Sequence, residues 1–314
     1  MDRGTEVPRP RDAGPTYVTN FYQFGAEAMK RLPQVLPSGK NFLHLMSHSS
    51  PGKKPRPKLA QMTRAGGASY KFAHPIDIHK YENWETAPVD QLKRWAIEFR
   101  EAALDPQVRA DLFAFNEMPT DAPENAPQRA QVAKWLRMLH QAGGGPKLRG
   151  LFYLTHRCTM PANWKERDEA FWEAIDETCD WVVGEHYHDW KFATQWDKQK
   201  QVDHIFGLPR WLIESGKAPL VRIARDKYIV LHSSYYGPAG GNWVGLHNGE
   251  YDLAKLKTYF QRLVEATRAD ELGAWRISFG PLVTKDLDLR LLDPLCEVLA
   301  ADVAAFNARG KTGR

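Results

Sequence analysis

Cysteine is scarce in this chain. Cys158, Cys179 and Cys296 are the only three in 314 residues, and none stands in a CxxC or other metal-type spacing. The chain is long enough to bury a core without a disulfide or metal staple. A Cys158–Cys179 pair in an oxidising compartment stays open. Long apolar runs are also missing. None approaches the roughly 18 residues of a membrane span, so no membrane partner is expected. The opening residues Met1 to Pro15 are polar, rich in Pro, Arg and Asp, and lack an apolar core of signal-peptide length. That fits either a cytoplasmic protein or a secreted one whose leader has been removed.

Clustered positive charge is absent as well. The net charge of +5 is spread along the chain, and Lys53-Lys54-Pro55-Arg56-Pro57-Lys58 is the only dense basic patch. Its two prolines mark an exposed loop. Nucleic-acid binding needs a basic face, so no nucleic-acid partner is expected. A modest positive charge is compatible with an acidic substrate. No Gly-rich turn follows the first apolar run, which continues Tyr22-Gln23-Phe24-Gly25. This counts against a doubly wound nucleotide-binding sheet. No Gly-x-Ser-x-Gly elbow is present. Cys158, beside His156 and Arg157, is the one thiol placed to be considered as a nucleophile.

What is present is a rhythm. Apolar, β-rich runs occur at Tyr17–Tyr22, Asn41–Met46, Ser69–Asp77, Asp111–Asn116, Leu148–His156, Asp180–Glu185, Asp226–His232 and Ala274–Gly280. Helix-period segments separate them, among them Pro88–Leu104, Gln128–His140, Glu166–Cys179, Lys198–Gly216, Tyr251–Ala266 and Leu287–Phe306. Pro209 should kink or split the fourth of these. Eight strands alternating with helices predict a parallel sheet, and their count and the length favour a single-domain (β/α)8 TIM barrel. The barrel is expected over residues 16–306, with a disordered lead-in at 1–15 and a polar tail at 307–314.

In such a barrel the chemistry sits at the C-terminal strand ends. Two apolar runs end there in a carboxylate: Phe113-Ala114-Phe115-Asn116-Glu117 and Val182-Val183-Gly184-Glu185. Paired carboxyls suit glycosidic cleavage, one protonating the leaving oxygen and the other attacking carbon or activating water. Glu117 and Glu185 are the candidate catalytic pair. Phe115 and Met118 around Glu117 would raise its pKa and suit an acid. Polar groups at the other strand ends are candidate substrate contacts: His44, Asp77, Asn116, His156 and His232. Aromatic side chains offer flat platforms for sugar rings, and with 11 tryptophans they are plentiful. The aromatic candidates are Tyr22, Tyr187, Tyr235, Trp243 and Trp275.

The segment Phe115-Asn116-Glu117-Met118-Pro119 resembles the Asn-Glu-Pro strand-four motif of the large glycoside hydrolase clan with (β/α)8 barrels. The resemblance implies that Glu117 is the acid/base and that Asn116 contacts the sugar beside the cleaved bond. The clan's nucleophile ends strand seven. Here that strand ends His232-Ser233-Ser234-Tyr235-Tyr236, and Glu250 is the nearest carboxylate beyond it. No nucleophile is therefore carried over, and Glu185 is placed from the strand-end pattern alone. The expected function is hydrolysis of a polysaccharide or oligosaccharide, with no cofactor and no metal. Two alternatives remain. Glu185, His186 and His188, flanked by His156 and His232, have ligand types that suit a zinc-type hydrolase, although alternation splits the carboxylate from the imidazoles. A carbohydrate-binding barrel without catalysis is the other.

Overall fold

A computed structural model describes residues 16–19, 42–46, 57–65, 70–116, 118–188, 190–233, 246–247, 250–251, 253–273, 276–279 and 292–312. The strands are β1 (Thr16–Thr19), β2 (Phe42–Met46), β3 (Tyr70–Asp77), β4 (Leu112–Asn116), β5 (Arg149–Leu154), β6 (Cys179–Tyr187), β7 (Tyr228–Ser233) and β8 (Arg276–Phe279). All pair in parallel with their neighbours, and β1 pairs with both β2 and β8, which closes the barrel. The chain is a closed (β/α)8 barrel, as the alternation predicts. A short antiparallel pair, Leu246–His247 with Glu250–Tyr251, lies between β7 and the next helix.

The strands obey the two-residue alternation of a pleated sheet. Ala73, Leu112, Ala114, Leu151, Tyr153, Val183, Ile229 and Leu231 form a separate inner cluster, with Trp181 packed against it. These residues fill the lumen, so the barrel is packed rather than hollow. The alternate residues, among them Phe72, Phe113, Phe115, Phe152, Val182, Tyr228 and Val230, join the larger cluster between strands and helices. Phe115 and Phe152 stack there at 5.2 Å.

The outer helices are α1 (Pro57–Ala65), α2 (Val89–Leu104), α3 (Ala126–Gln141), α4 (Glu169–Thr178), α5 (Trp190–Gln195), α6 (Lys198–Ile205), α7 (Gly207–Glu214), α8 (Ala218–Arg222), α9 (Leu253–Arg268) and α10 (Leu292–Thr312). Leu92, Ala96 and Phe99 form the buried stripe of α2. Among the described residues three helices start on side-chain caps: Asn125 accepts from Gln128 N–H, Asp168 from Phe171 N–H and Asp197 from Lys200 N–H. Each satisfies an amide that the first turn leaves open. Asp168 also accepts from Arg129, so the start of α4 is tied to α3.

Several boundaries differ from the sequence reading. The expected single helix Lys198–Gly216 is two helices, parted at Phe206 rather than at Pro209. Pro209 lies in the first turn of α7, where a missing N–H costs little. The expected start of strand seven at Asp226 is instead the end of a π-helical turn, Ile223–Lys227, and Lys227 is tied to Asp176 at 2.7 Å. The strand around Asp180–Glu185 is longer and runs to Tyr187. The last helix continues past Phe306 to Thr312. Among the described residues no helix is long and apolar enough to cross a membrane.

Candidate functional site

The two faces of β6 sort its polar residues. Trp181 and Val183 belong to the inner cluster, and Glu185 continues that row at the C-terminal end of the strand. Glu185 is 2% exposed and pairs in register with Leu231, another inner residue. A carboxylate there belongs to the lumen side of the barrel mouth. Across the barrel, Asp77 ends β3 in register with Asn116, the last residue of β4. Asp77 Oδ1 accepts from His79 N–H at 3.0 Å and caps the turn that follows β3. Glu117 itself lies outside the described residues, as do Tyr22, Tyr235, Trp243 and Trp275. Its flanks Phe115 and Met118 are fully buried, and Met118 N–H donates to Tyr153 O at 2.9 Å. His44 lies within β2, in register with Tyr70, and Tyr187 ends β6, in register with Ser233.

The histidines occupy the opposite face. His186 follows Glu185 on β6 and therefore turns outward, toward Tyr228 of the outer cluster. Gly184, on the same outward face, makes this possible. A Cβ there would collide with the Tyr228 hydroxyl and meet Thr159 Cγ2 at 3.1 Å. Without that side chain, the Tyr228 hydroxyl reaches to 3.3 Å from His186 Nε2. His156 lies in the turn after β5, its ring 6.2 Å from that of His186 and 5.7 Å from that of His204. His204 approaches from α6, and His188 stacks on Phe192 of α5 at 3.7 Å. His232 Nε2 lies 2.7 Å from Thr267 Oγ1 of α9. Thr267 gives its own proton to Leu263 O at 2.8 Å, so His232 must be the donor and carries its proton on Nε2.

The expectation that His156 and His232 line the barrel mouth beside Glu185 is corrected here. His232 lies behind the wall because strand parity sends it to the outer face of β7, and His156, in the turn after β5, packs beside His186 and His204 on that outer side. The same parity separates Glu185 from His186 and His188, so the five-residue metal set weighed from sequence is not one cluster. His204 takes its place. Ligand nitrogens of His156, His186 and His204 all lie within 4.8 Å of one another. Sequence reasoning missed His204 because it sits on a helix more than a dozen residues from any strand end.

Burial governs the electrostatics of this layer. Desolvation lowers the pKa of His156, His186, His188 and His204, with neighbouring imidazoles adding to it for the last three. His232 is pushed down to about 3, chiefly by burial and in part by Arg268. Burial raises the Tyr228 phenol well above its ordinary value. All five imidazoles are therefore neutral near pH 7.

Two other expectations resolve plainly. Cys158 and Cys179 are free and buried, and burial pushes each thiol up to about 12. A thiol held that high is not a nucleophile at neutral pH. Among the other tryptophans, Trp84 and Trp164 are buried in the outer core. Trp164 donates to Cys158 O at 2.9 Å. Trp196 packs on Phe192 and carries the Lys200 ammonium over its ring at 4.2 Å.

No family model matches the sequence, and a search of curated proteins finds no match. Solved structures do match. A GH113 β-1,4-mannanase aligns with TM-score 0.54 at 11% identity, over 92% of this chain and 98% of its own. A GH18 chitinase from Pseudoalteromonas aurantia aligns with TM-score 0.53 at 8% identity, over 90% and 99%. A chitinase-like agglutinin from Robinia pseudoacacia aligns with TM-score 0.52 at 12% identity, over 91% and 99%. The shared feature is the (β/α)8 fold, over nearly the full length of each chain. At these identities the likeness is one of fold.

Proposed function

We propose that this chain is a glycoside hydrolase that acts on a polysaccharide or oligosaccharide at the C-terminal mouth of its barrel. The observation that carries the reading is the placement of Glu185: a carboxylate on the lumen row, at the strand end where barrel enzymes position reacting groups. The Asn-Glu dipeptide at 116–117 gives the second carboxylate. Asn116 ends β4, two strands away from β6 in the barrel order. Fold-level likeness to a mannanase and a chitinase supports the same reading by analogy.

In this mechanism Glu117 donates its proton to the glycosidic oxygen as the bond to the anomeric carbon breaks. Glu185, ionised, either attacks that carbon or takes a proton from the water that does. Asn116 holds a hydroxyl beside the scissile bond, and Asp77, in register with it, flanks the same subsite. The bulk charge of +5 is compatible with an acidic sugar. The metal-hydrolase alternative loses ground because Glu185 and the imidazoles face opposite sides of β6.

The test is release of reducing ends from a panel of chitin, mannan, galactan and uronic-acid oligosaccharides. The parent is compared with Glu117→Gln and Glu185→Gln. Full activity in both variants on a substrate the parent cleaves would overturn the carboxylate pair. Tight sugar binding by the parent with no turnover on any member would favour a lectin-like barrel instead, the role that the name of the Robinia agglutinin describes.

A further inference from the structure

The histidine layer behind β5 and β6 has no part in the proposed hydrolysis, yet its composition is unusual for an outer core. We propose that His156, His186 and His204 form a binding site for a divalent transition cation of borderline softness, with zinc as the reference ion. The inference does not rest on the glycosidase reading.

Four observations converge on it. The first is spacing. Ligand nitrogens of the three side chains lie within 4.8 Å of one another. Zinc holds imidazole nitrogens at about 2.0–2.1 Å in a tetrahedron, which sets them about 3.4 Å apart. Small ring rotations close that difference. The second is orientation. His186 turns Nε2 toward the Tyr228 hydroxyl, which leaves Nδ1 for an ion. Metal-bound histidines are held in this way, one nitrogen to an outer partner and the other to the ion.

The third observation is an unexplained group. His186 is fully buried, and its Nδ1 has no hydrogen-bond partner among the described residues. Buried imidazole nitrogens are ordinarily satisfied, and a cation would satisfy this one. His188 Nε2 is in the same state, with its ring 5.6 Å from that of His204. The fourth is provenance. The three ligands come from the β5 turn, β6 and α6, so no single stretch of helix or strand accounts for their meeting. Three neutral imidazoles with no cysteine suit Zn²⁺, Co²⁺, Ni²⁺ or Cu²⁺ and not Mg²⁺ or Ca²⁺, which take oxygen ligands.

The consequence is mechanical. A cation here would pin α6 to the barrel wall behind Glu185, through His186, the next residue of β6. The cation would then act as a clasp, outside the reacting centre.

The test uses the full chain without a polyhistidine tag, stripped with chelator and titrated with Zn²⁺ and separately with Co²⁺. One equivalent bound, a rise in Tm on zinc addition and the visible bands of tetrahedral cobalt–imidazole are expected. His204→Gln changes a half-buried side chain on α6, and His156→Gln a half-buried one in the turn after β5. Each should weaken zinc by more than about tenfold, the least that loss of even an outer partner costs. His79→Gln alters an exposed histidine on a remote turn and should leave affinity unchanged. If the parent binds less than one equivalent, or if both site variants bind as tightly as His79→Gln, the proposal fails. Circular dichroism separates a misfolded variant from one that has only lost its ion. Because the readouts are metal content and Tm, they stand whether or not the chain cleaves sugars.

Discussion

Tyr228 occupies the space that a side chain at position 184 would need, and its hydroxyl lies 3.3 Å from His186 Nε2. Glycine at 184 is thus a packing requirement of the layer behind the candidate carboxylate. Gly184→Ala forces Tyr228 to move and breaks that contact. A loss of about 1–3 kcal/mol is expected, the usual cost of overpacking. Urea denaturation measures it. Tyr228→Phe in the same chain should recover part of the loss, since the hydroxyl is the nearest atom. Unchanged stability in Gly184→Ala would show that the phenol has room to shift.

Glu185→Gln should leave the fold intact, because the amide is nearly isosteric with the carboxyl. Turnover on a cleaved substrate should fall by about 10²–10⁴-fold, the range for a lost acid–base group. Initial rates and Tm on the same preparation check this. A rate drop matched by a large fall in Tm would count against a chemical role.

Arg129 is a structural centre. It is 1% exposed and bonds the carbonyls of Ala122 and Pro123 at 3.0 Å, Asp168 at 2.6 Å, and Glu166. Arg129→Met strands these acceptors and frees the cap of α4 from α3. A destabilisation of about 3 kcal/mol is expected. A loss below about 1 kcal/mol would class the cluster with ordinary surface pairs.

His232 should make the protein acid-sensitive above the carboxylate range. In the unfolded chain its ring takes a proton near pH 6.5, but in the folded chain only near pH 3. Between these values the unfolded state binds more protons, so stability falls as pH falls. The contribution is fully present above about pH 6.5 and is lost progressively toward pH 3. Its slope reaches about 1.4 kcal/mol per pH unit. Denaturation midpoints at pH 7.5, 6.0 and 5.0 should drop in the parent and drop less steeply in His232→Gln. Equal slopes in the two proteins would refute the assignment.

Much of the architecture was legible because it depends on local periodicity. Runs such as Phe113-Ala114-Phe115 and Trp181-Val182-Val183 are strands on any physical reading, and their alternation with amphipathic helices such as Val89–Leu104 leaves few folds open. Boundaries were less legible. Pro209 looked like a break but fits a helix start, and Asp226-Lys227 looked like strand but forms a π turn. Both outcomes were set by neighbours that sequence does not display.

The site divides in the same way. That Glu185 and His186 face opposite sides follows from sequence alone, since successive side chains in a strand alternate. Which side is the lumen does not. That was decided by the closure of the barrel, which put Val183 inside with Leu151 and Ile229, and sent His186 outward with Tyr228. The meeting of His204 with His156 and His186 is likewise tertiary. It depends on where α6 docks against β5 and β6, and no local spacing encodes a contact between a helix and a strand end so far apart in the chain.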